Sequence, residues 1–287
     1  MNIRDTTIVL DSNCLQTRQL EDYLRKSPSN KVVIITAATV EAYKNNYEKG
    51  LPRSFEILSK YTSQVLVAKN DQSVVSIHGR TSGLQRRFIS KTDTENFSIF
   101  VEGVKLLPSV RALGLTDRIR YQKAKEVKEY LSRINADVEK FKEAISIRSC
   151  RYSKSDIETY RMGGTPSKEF IRQVSVEVIA LVEHMAESLE SKHNLPRAKG
   201  QVSNHFIFRL ALANHLLVLD WIANGGAKDV KPDKLVNDVM DTHFITYATY
   251  FNGLMTQDTK PKRLLQSLRW WLENVFMCEL MKPMKGM

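Results

Sequence analysis

Nearly unbroken apolar runs recur early in the chain, in "TIVLDSN" from Thr7, "KVVIITAAT" over Lys31–Thr39 and "SQVLVAK" over Ser63–Lys69. Each is of strand length, rich in β-branched residues and bounded by turn formers, which predicts a β-strand. Between them, "CLQTRQLEDYLRKS" spaces Leu15, Leu20 and Leu24 as a short amphipathic helix, and "VEAYKNNYEKG" reads as a helix ending at Gly50. Strands that alternate with helices and are apolar on both faces predict a parallel sheet covered on both sides.

The pattern changes from about Asn96 to about Asn224, where helical spacing dominates. Val127, Leu131, Ile134, Val138, Phe141 and Ile145 follow one another at intervals of three and four, the mark of a long amphipathic helix. The periodicity starts near Ile119. Two further helices are predicted over about Lys168–Ser191 and Asn204–Ala223, separated by the breakers in "RMGGTPS" and "HNLPRAKGQ". The α/β pattern then returns. Pro232 and Asp233 open a helix that Asp233 could cap. "KLVNDVMDTHFITYATYF" continues it, "NGLMTQD" (Asn252–Asp258) is a short Gly-led strand, and "RLLQSLRWWLENVFMCELM" closes as an amphipathic helix. The simplest architecture is one α/β domain in two pieces, residues 1–80 and 226–287, interrupted by a mainly helical insertion over 81–225.

Composition narrows the class. The 287 residues are 42% hydrophobic and 26% charged, with mean hydropathy −0.32, which predicts a soluble globular protein. No apolar run reaches the roughly 18 residues of a membrane span, and "MNIRDTTIVL" has no secretory h-region. Cys14, Cys150 and Cys278 are odd in number and widely spaced, which argues against a disulfide framework and suits a cytoplasmic protein. His184, His193, His205, His215 and His243 show no zinc-site spacing. The net charge of +11 points to a polyanionic partner, nucleic acid first. From Arg111 to Lys154 there are twelve Lys or Arg against six Asp or Glu, either an RNA-contacting arm or a solvated helix face.

The acids are distributed differently. Asp11 follows the first strand, Glu41 lies just past the second, and Asp258 follows the last. Asp238 and Asp241 sit three apart on the preceding helix, close to one face. Ligands of open parallel sheets bind beyond the carboxyl ends of the strands, so all five could project into one crevice. Clustered carboxylates repel, and cations are what chiefly make such a cluster tolerable. Hard oxygen donors suit Mg²⁺ or Mn²⁺, which can drive phosphodiester hydrolysis.

The stretch "VLDSN" resembles the hydrophobic-Asp-Thr/Ser-Asn signature that opens the PIN-domain nucleases. "VVIITAATVEA" is similar to their second motif, a strand leading through Ser/Thr into a helix that carries Glu, and "NDVMDTHFITYATYFNGLMTQD" resembles their C-terminal Asn-Asp-x-x-Asp, strand and Thr-x-Asp. The resemblance covers about a third of the chain. It implies a three-layer α/β/α fold around a mostly parallel sheet and an Mg²⁺- or Mn²⁺-dependent endoribonuclease leaving 5′-phosphate and 3′-hydroxyl ends. Asp11, Glu41, Asp241 and Asp258 become the metal-site acids, Asp238 a helper ligand, Asn13 the residue orienting Asp11, and Thr256 a supporting hydroxyl. The family includes toxins held by antitoxins and RNA-processing enzymes, so RNA and a regulatory protein are the implied partners, and a homo-oligomer is compatible. The large insertion departs from the family.

Other readings stand beside this one. Asp11 could be a helix N-cap, Glu41 a first-turn residue serving the helix dipole, and Asp258 a turn former. His243 could approach a phosphate, and Arg209 could reach the cleft. A DNA-directed nuclease and a PIN-like binding module without catalysis remain as alternative functions. A haloacid dehalogenase-type phosphatase would need an acid two residues after Asp11, where Asn13 stands.

Overall fold

In the computed structural model, which describes residues 6–44, 47–77, 79–110, 129, 132, 140–190, 202–227 and 230–282, the apolar runs form the centre. Strands β1 (Thr7–Leu10), β2 (Lys31–Ile34), β3 (Val65–Val67) and β4 (Leu254–Met255) make a parallel sheet in the order β3-β2-β1-β4. Val9 is paired with Val33 on one side and Leu254 on the other. Every residue of β1 and β4 is buried, so neither strand has a solvent face on which polar residues would alternate.

The strands are shorter than the runs that announce them. Only Lys31–Ile34 of the second run is strand, because Ala37 and Ala38 favour helix and α2 (Thr36–Lys44) starts within it. Helix α1 (Arg18–Lys26) is capped by Thr17, whose hydroxyl accepts from Leu20 N at 3.3 Å. The segment expected to end at Gly50 is divided between α2 and α3 (Tyr47–Ser54), which passes through Gly50 and holds Pro52 internally. Short helices α4 (Glu56–Lys60), α5 (Asp71–Val74), α6 (Leu84–Phe88) and α7 (Lys91–Glu95) lead to α8 (Phe97–Val110).

Most of the helix expected over 119–145 lies outside the described residues. Its end is helical over 140–149 (α9), with Phe141 and Ile145 buried one turn apart. Helices α10 (Lys154–Arg161), α11 (Lys168–Glu190) and α12 (Phe206–Ala223) follow. By length and mean hydropathy α12 could cross a membrane, yet Arg209, Asn214, His215 and Asp220 interrupt its apolar residues and 83% of it is buried inside the protein. It packs against α11, α13 (Pro232–Ala248) and α14 (Thr259–Asn274), so this helix of the expected insertion is a core helix. One hydrophobic cluster extends from Ile8 to Cys278 and includes residues of α8, α11 and α12.

Pro232 opens α13 with Lys231 at the cap. Asp233 therefore sits in the first turn, where it favours the dipole, rather than capping. Between α13 and β4, Gly253 adopts φ of 142°, a conformation open essentially to glycine alone. Its carbonyl accepts from Val9 N at 2.9 Å, seating β4 against β1. α14 stops at Asn274 rather than near Met281, and Cys278 N donates back to Leu272 O at 2.7 Å.

Candidate functional site at the strand ends

The chain moves from β1 outward to β2 and β3, then returns to place β4 on the other side of β1. Such a reversal opens a crevice beyond the carboxyl ends of the two strands that flank it. Asp11 stands at the end of β1, and its backbone N–H donates to Met255 O at 3.0 Å. Strand pairing therefore continues up to the acid, which is buried at 4% exposure.

Asp11 occupies the N-cap position of a short 3₁₀ turn, Ser12–Cys14, and Asp258 that of α14, but neither side chain makes a capping hydrogen bond. Both are engaged elsewhere. Thr256 Oγ1 donates to Asp11 Oδ2 at 2.5 Å and accepts from Asp258 N at 3.2 Å. Asn13 Nδ2 donates to Asp258 Oδ2 at 2.8 Å and reaches Thr256 Oγ1 at 3.3 Å, while Asn13 Oδ1 accepts from Gln257 N at 3.2 Å. Asn13 thus ties the β1 turn to the β4 turn and contacts Asp258 rather than Asp11. Across the crevice, Ser12 Oγ donates to Glu41 Oε2 and stands 3.4 Å from Asp11 Oδ1. Asp11, Asn13, Thr256, Asp258 and Glu41 are therefore gathered at one place by hydrogen bonds spanning almost the whole sequence.

The electrostatics bring in Asp241. Burial, and then repulsion from Asp11, Asp238, Glu41 and Asp258, push its carboxyl from the ordinary 3.8 up to about 8. Burial also raises Asp11, and Asp258 adds to this. The Thr256 hydroxyl and the amides of Asn13 and Ser12 offset part of the rise. Cys14, beneath the turn, is pushed up to about 12 by burial and by Asp11, so it is a packed thiol rather than a nucleophile.

Asp238 has another partner. Lys260 Nζ stands 2.6 Å from its Oδ2 and 3.6 Å from Asp220 Oδ2, and Arg263 pairs with Asp220. The same ammonium lies 4.3 Å from the centre of the Trp221 ring. Lys260 was not anticipated, although its position carries a signal. A lysine in the first turn of α14 opposes the helix dipole, so it needs a carboxylate nearby.

Among the described residues, no three or more His, Cys, Asp and Glu side chains are arranged to hold a metal ion. The acids are near enough to repel one another, yet Asp11, Glu41, Asp258 and Asp238 each face a hydroxyl, amide or ammonium donor. As a donor set they are hard oxygens, the chemistry that Mg²⁺ and Mn²⁺ take.

Arg209 does not face the crevice. It is 1% exposed and donates to Ser203 O, Thr249 O, Thr249 Oγ1 and Asn204 Oδ1 at 2.8–3.0 Å. Its guanidinium also lies over Tyr250. A buried arginine so fully bonded is a tie between α12 and the end of α13, not a substrate contact. His243 Nδ1 is 3.1 Å from Asp71 Oδ2, and Tyr247 donates to Asp71 Oδ1 at 3.1 Å. Asp71 is a further strand-end acid, following β3 in "VLVAKND". The reasoning that selects Asp11 and Asp258 applies equally to it.

No family model, curated protein or solved structure matches this chain.

Proposed function

We propose that the chain is a PIN-like, Mg²⁺- or Mn²⁺-dependent endoribonuclease acting at the strand-end acids, with its sheet as the middle layer of an α/β/α core. The observation that carries the reading is the gathering of Asp11, Glu41 and Asp258 through Ser12, Asn13 and Thr256, with the Asp241 carboxyl raised to about 8 by burial and by the acids around it. Acids drawn from β1, α2, α13 and the turn after β4 have no packing reason to meet, and their repulsion makes the grouping costly unless a cation is bound. Hard oxygen donors fit Mg²⁺ or Mn²⁺, and a net charge of +11 suits a polyanionic substrate.

Asp11, Glu41, Asp241 and Asp258 would hold the cation. When bound, it supplies Lewis-acid polarisation of a phosphodiester and stabilises charge on the departing oxygen. The chain's own groups do the positioning. Thr256 and Asn13 hold Asp11 and Asp258 in place, and Ser12 bridges Asp11 and Glu41. Without a cation Asp241 keeps its proton near neutral pH, and it would give that proton up on binding one. Lys260 neutralises Asp238 and so limits the repulsion on Asp241.

Labelled single-stranded RNA and DNA, incubated with the purified chain in Mn²⁺ or in chelator, test this. Cation-dependent cleavage of RNA is expected, lost in Asp11→Asn and in Asp241→Asn. Cleavage that survives chelation, or parental rates in either variant, would refute it. A second reading, a PIN-like nucleic-acid-binding module without catalysis, is favoured by the lack of a ready metal cage among the described residues. RNA binding without cleavage in any divalent cation would select it.

A further inference from the structure

A cavity of about 560 Å³ opens beside the carboxyl ends of β2 and β3, within the size range of small-molecule sites. Its wall carries the rings of Tyr43, Phe55, Phe97 and Phe100. Phe55 and Phe97 are buried, whereas Tyr43 and Phe100 are half-buried. Phe55 meets Phe100 edge-on at 5.2 Å, and Phe97 lies 6.0 Å from Phe100, so Phe100 is braced from behind. The rim carries the amides Asn70, Gln72 and Asn96 and the carboxylates Asp71 and Asp93, with no Lys or Arg.

That lining selects among ligands. Carboxylates without a cation repel phosphate, which excludes the backbone of a nucleic acid as the occupant. A flat heteroaromatic ring is what aromatic walls accept, and side-chain amides and carboxylates are the groups that read base edges. Among the described residues, the amides of Gln72 and Asn96 make no hydrogen bond and remain available for this. The cavity also adjoins the acid cluster through helix α2. Helix α2 presents Thr36, Thr39 and Tyr43 to the cavity and Glu41 to the acids. Asp71, at the rim, contacts His243, two residues after Asp241 on α13.

We propose that this cavity receives one unstacked nucleobase of a single-stranded nucleic acid whose neighbouring phosphate lies at the strand-end acids. The inference rests on the nuclease reading for the placement of that phosphate, while base capture itself is measured without cleavage. Phe100 supplies the stacking face, and Gln72 and Asn96 discriminate between bases.

The full-length chain carrying Asp11→Asn, with Ca²⁺ present to offset the remaining acids, is titrated into labelled RNA and DNA homopolymers of about ten nucleotides, long enough for one binding site. The tightest and weakest homopolymers should differ by about tenfold, the discrimination one or two base contacts give. Adding Phe100→Ala should weaken binding by about tenfold or more, as loss of one stacked base does, and Phe100→Trp should restore it. An oligomer with fluorescent 2-aminopurine should be quenched on binding, and that quenching should disappear with Phe100→Ala. Gln72→Ala with Asn96→Ala, both exposed positions, should lower the affinity of the tightest homopolymer to near that of the weakest, flattening the ranking of bases to within about twofold. The RNA and DNA arms show which sugar the site accepts. Absence of binding, or Phe100→Ala and the amide pair behaving as the parent does, would overturn the proposal. Cation-dependent cleavage by the unaltered chain would then still stand, so the two failures are separable.

Discussion

The acid cluster makes a prediction that needs no substrate. With chelator present, Asp241 has its proton up to about pH 8 in the native state but loses it near the ordinary carboxylate value when unfolded. Between those limits the native state binds the extra proton, so raising the pH favours unfolding, and the effect levels off above about pH 8. Each pH unit in the window contributes up to about 1.4 kcal/mol, a ceiling of about 6 kcal/mol. Asp241 is only half-buried, and water reaching it reduces the expected effect to about 2 kcal/mol.

Replacing Asp241 by Asn removes the titration and retains the shape of the protonated acid. At about pH 3.5, where both states hold the proton, parent and variant should melt together. At pH 8 in chelator the variant should melt about 5 °C higher, at the roughly 2–4 °C per kcal/mol usual for a chain of this size. Mn²⁺ should reverse the order, because only the parent gains binding energy, about 2.7 kcal/mol at a cation concentration a hundredfold above Kd. Differential scanning calorimetry over about pH 3.5–8 with and without Mn²⁺ measures all three. A gap between parent and variant that ignores pH, or equal stabilisation of both by Mn²⁺, would refute the cluster.

Other perturbations address the supports of the site. Thr256→Val removes the hydroxyl shared by Asp11 and Asp258; kcat should fall about tenfold with KM little changed, the cost of one misoriented charged group. Because that hydroxyl lowers the Asp11 pKa, the acid limb of the pH–rate profile should also move to higher pH, and an unmoved limb would count against its role. Lys260→Met leaves Asp238 and Asp220 short of a cation and should cost about 2–3 kcal/mol in urea unfolding. Asp238→Asn in the same chain should recover about half of the loss, and strict additivity would show that the pair is not coupled. Arg209→Met should cost about 3–5 kcal/mol by stranding buried acceptors; a loss below about 1 kcal/mol would mean the arginine is not the tie described.

The parallel sheet was legible because burial on both faces removes polar residues from the strands, leaving runs such as "TIVL" and "VLV" that little else explains. Their ends were less legible. An apolar run says that residues are buried but not in which conformation, so Ile35–Thr39 read as strand although its alanines belong to α2. Gly50 likewise read as a stop, yet α3 continues through it because Leu51 and Phe55 are buried beneath and tertiary packing outweighs the local propensity. The role of α12 was hidden for a related reason. Its pattern has apolar residues on every face, so nothing in it shows that α11, α13 and α14 pack around it.

The site shows the same limit at the level of single side chains. A residue directly after a strand and before a helix is both the natural position of an N-cap and the natural position of a ligand in an open sheet. Asp11 and Asp258 satisfy both descriptions, and no spacing rule separates them. What separates them is the side-chain partner each carboxylate takes across the crevice, Thr256 for Asp11 and Asn13 for Asp258. Asp238 and Asp241 present the converse case. Three residues apart, they share a helix face within about 60°, but Lys260 stands close enough to take Asp238 while Asp241 faces the other acids. Lys260 follows Asp258 by only two residues, so the turn that brings Asp258 to the crevice also delivers the cation that withdraws Asp238 from it. The strand-end turn after β4 therefore sets both the membership and the charge of the cluster. Insertion of one residue between Asp258 and Lys260 should raise the Asp241 pKa further by leaving Asp238 unpaired, an effect that carbon-13 NMR titration of the carboxyl would register as a later midpoint.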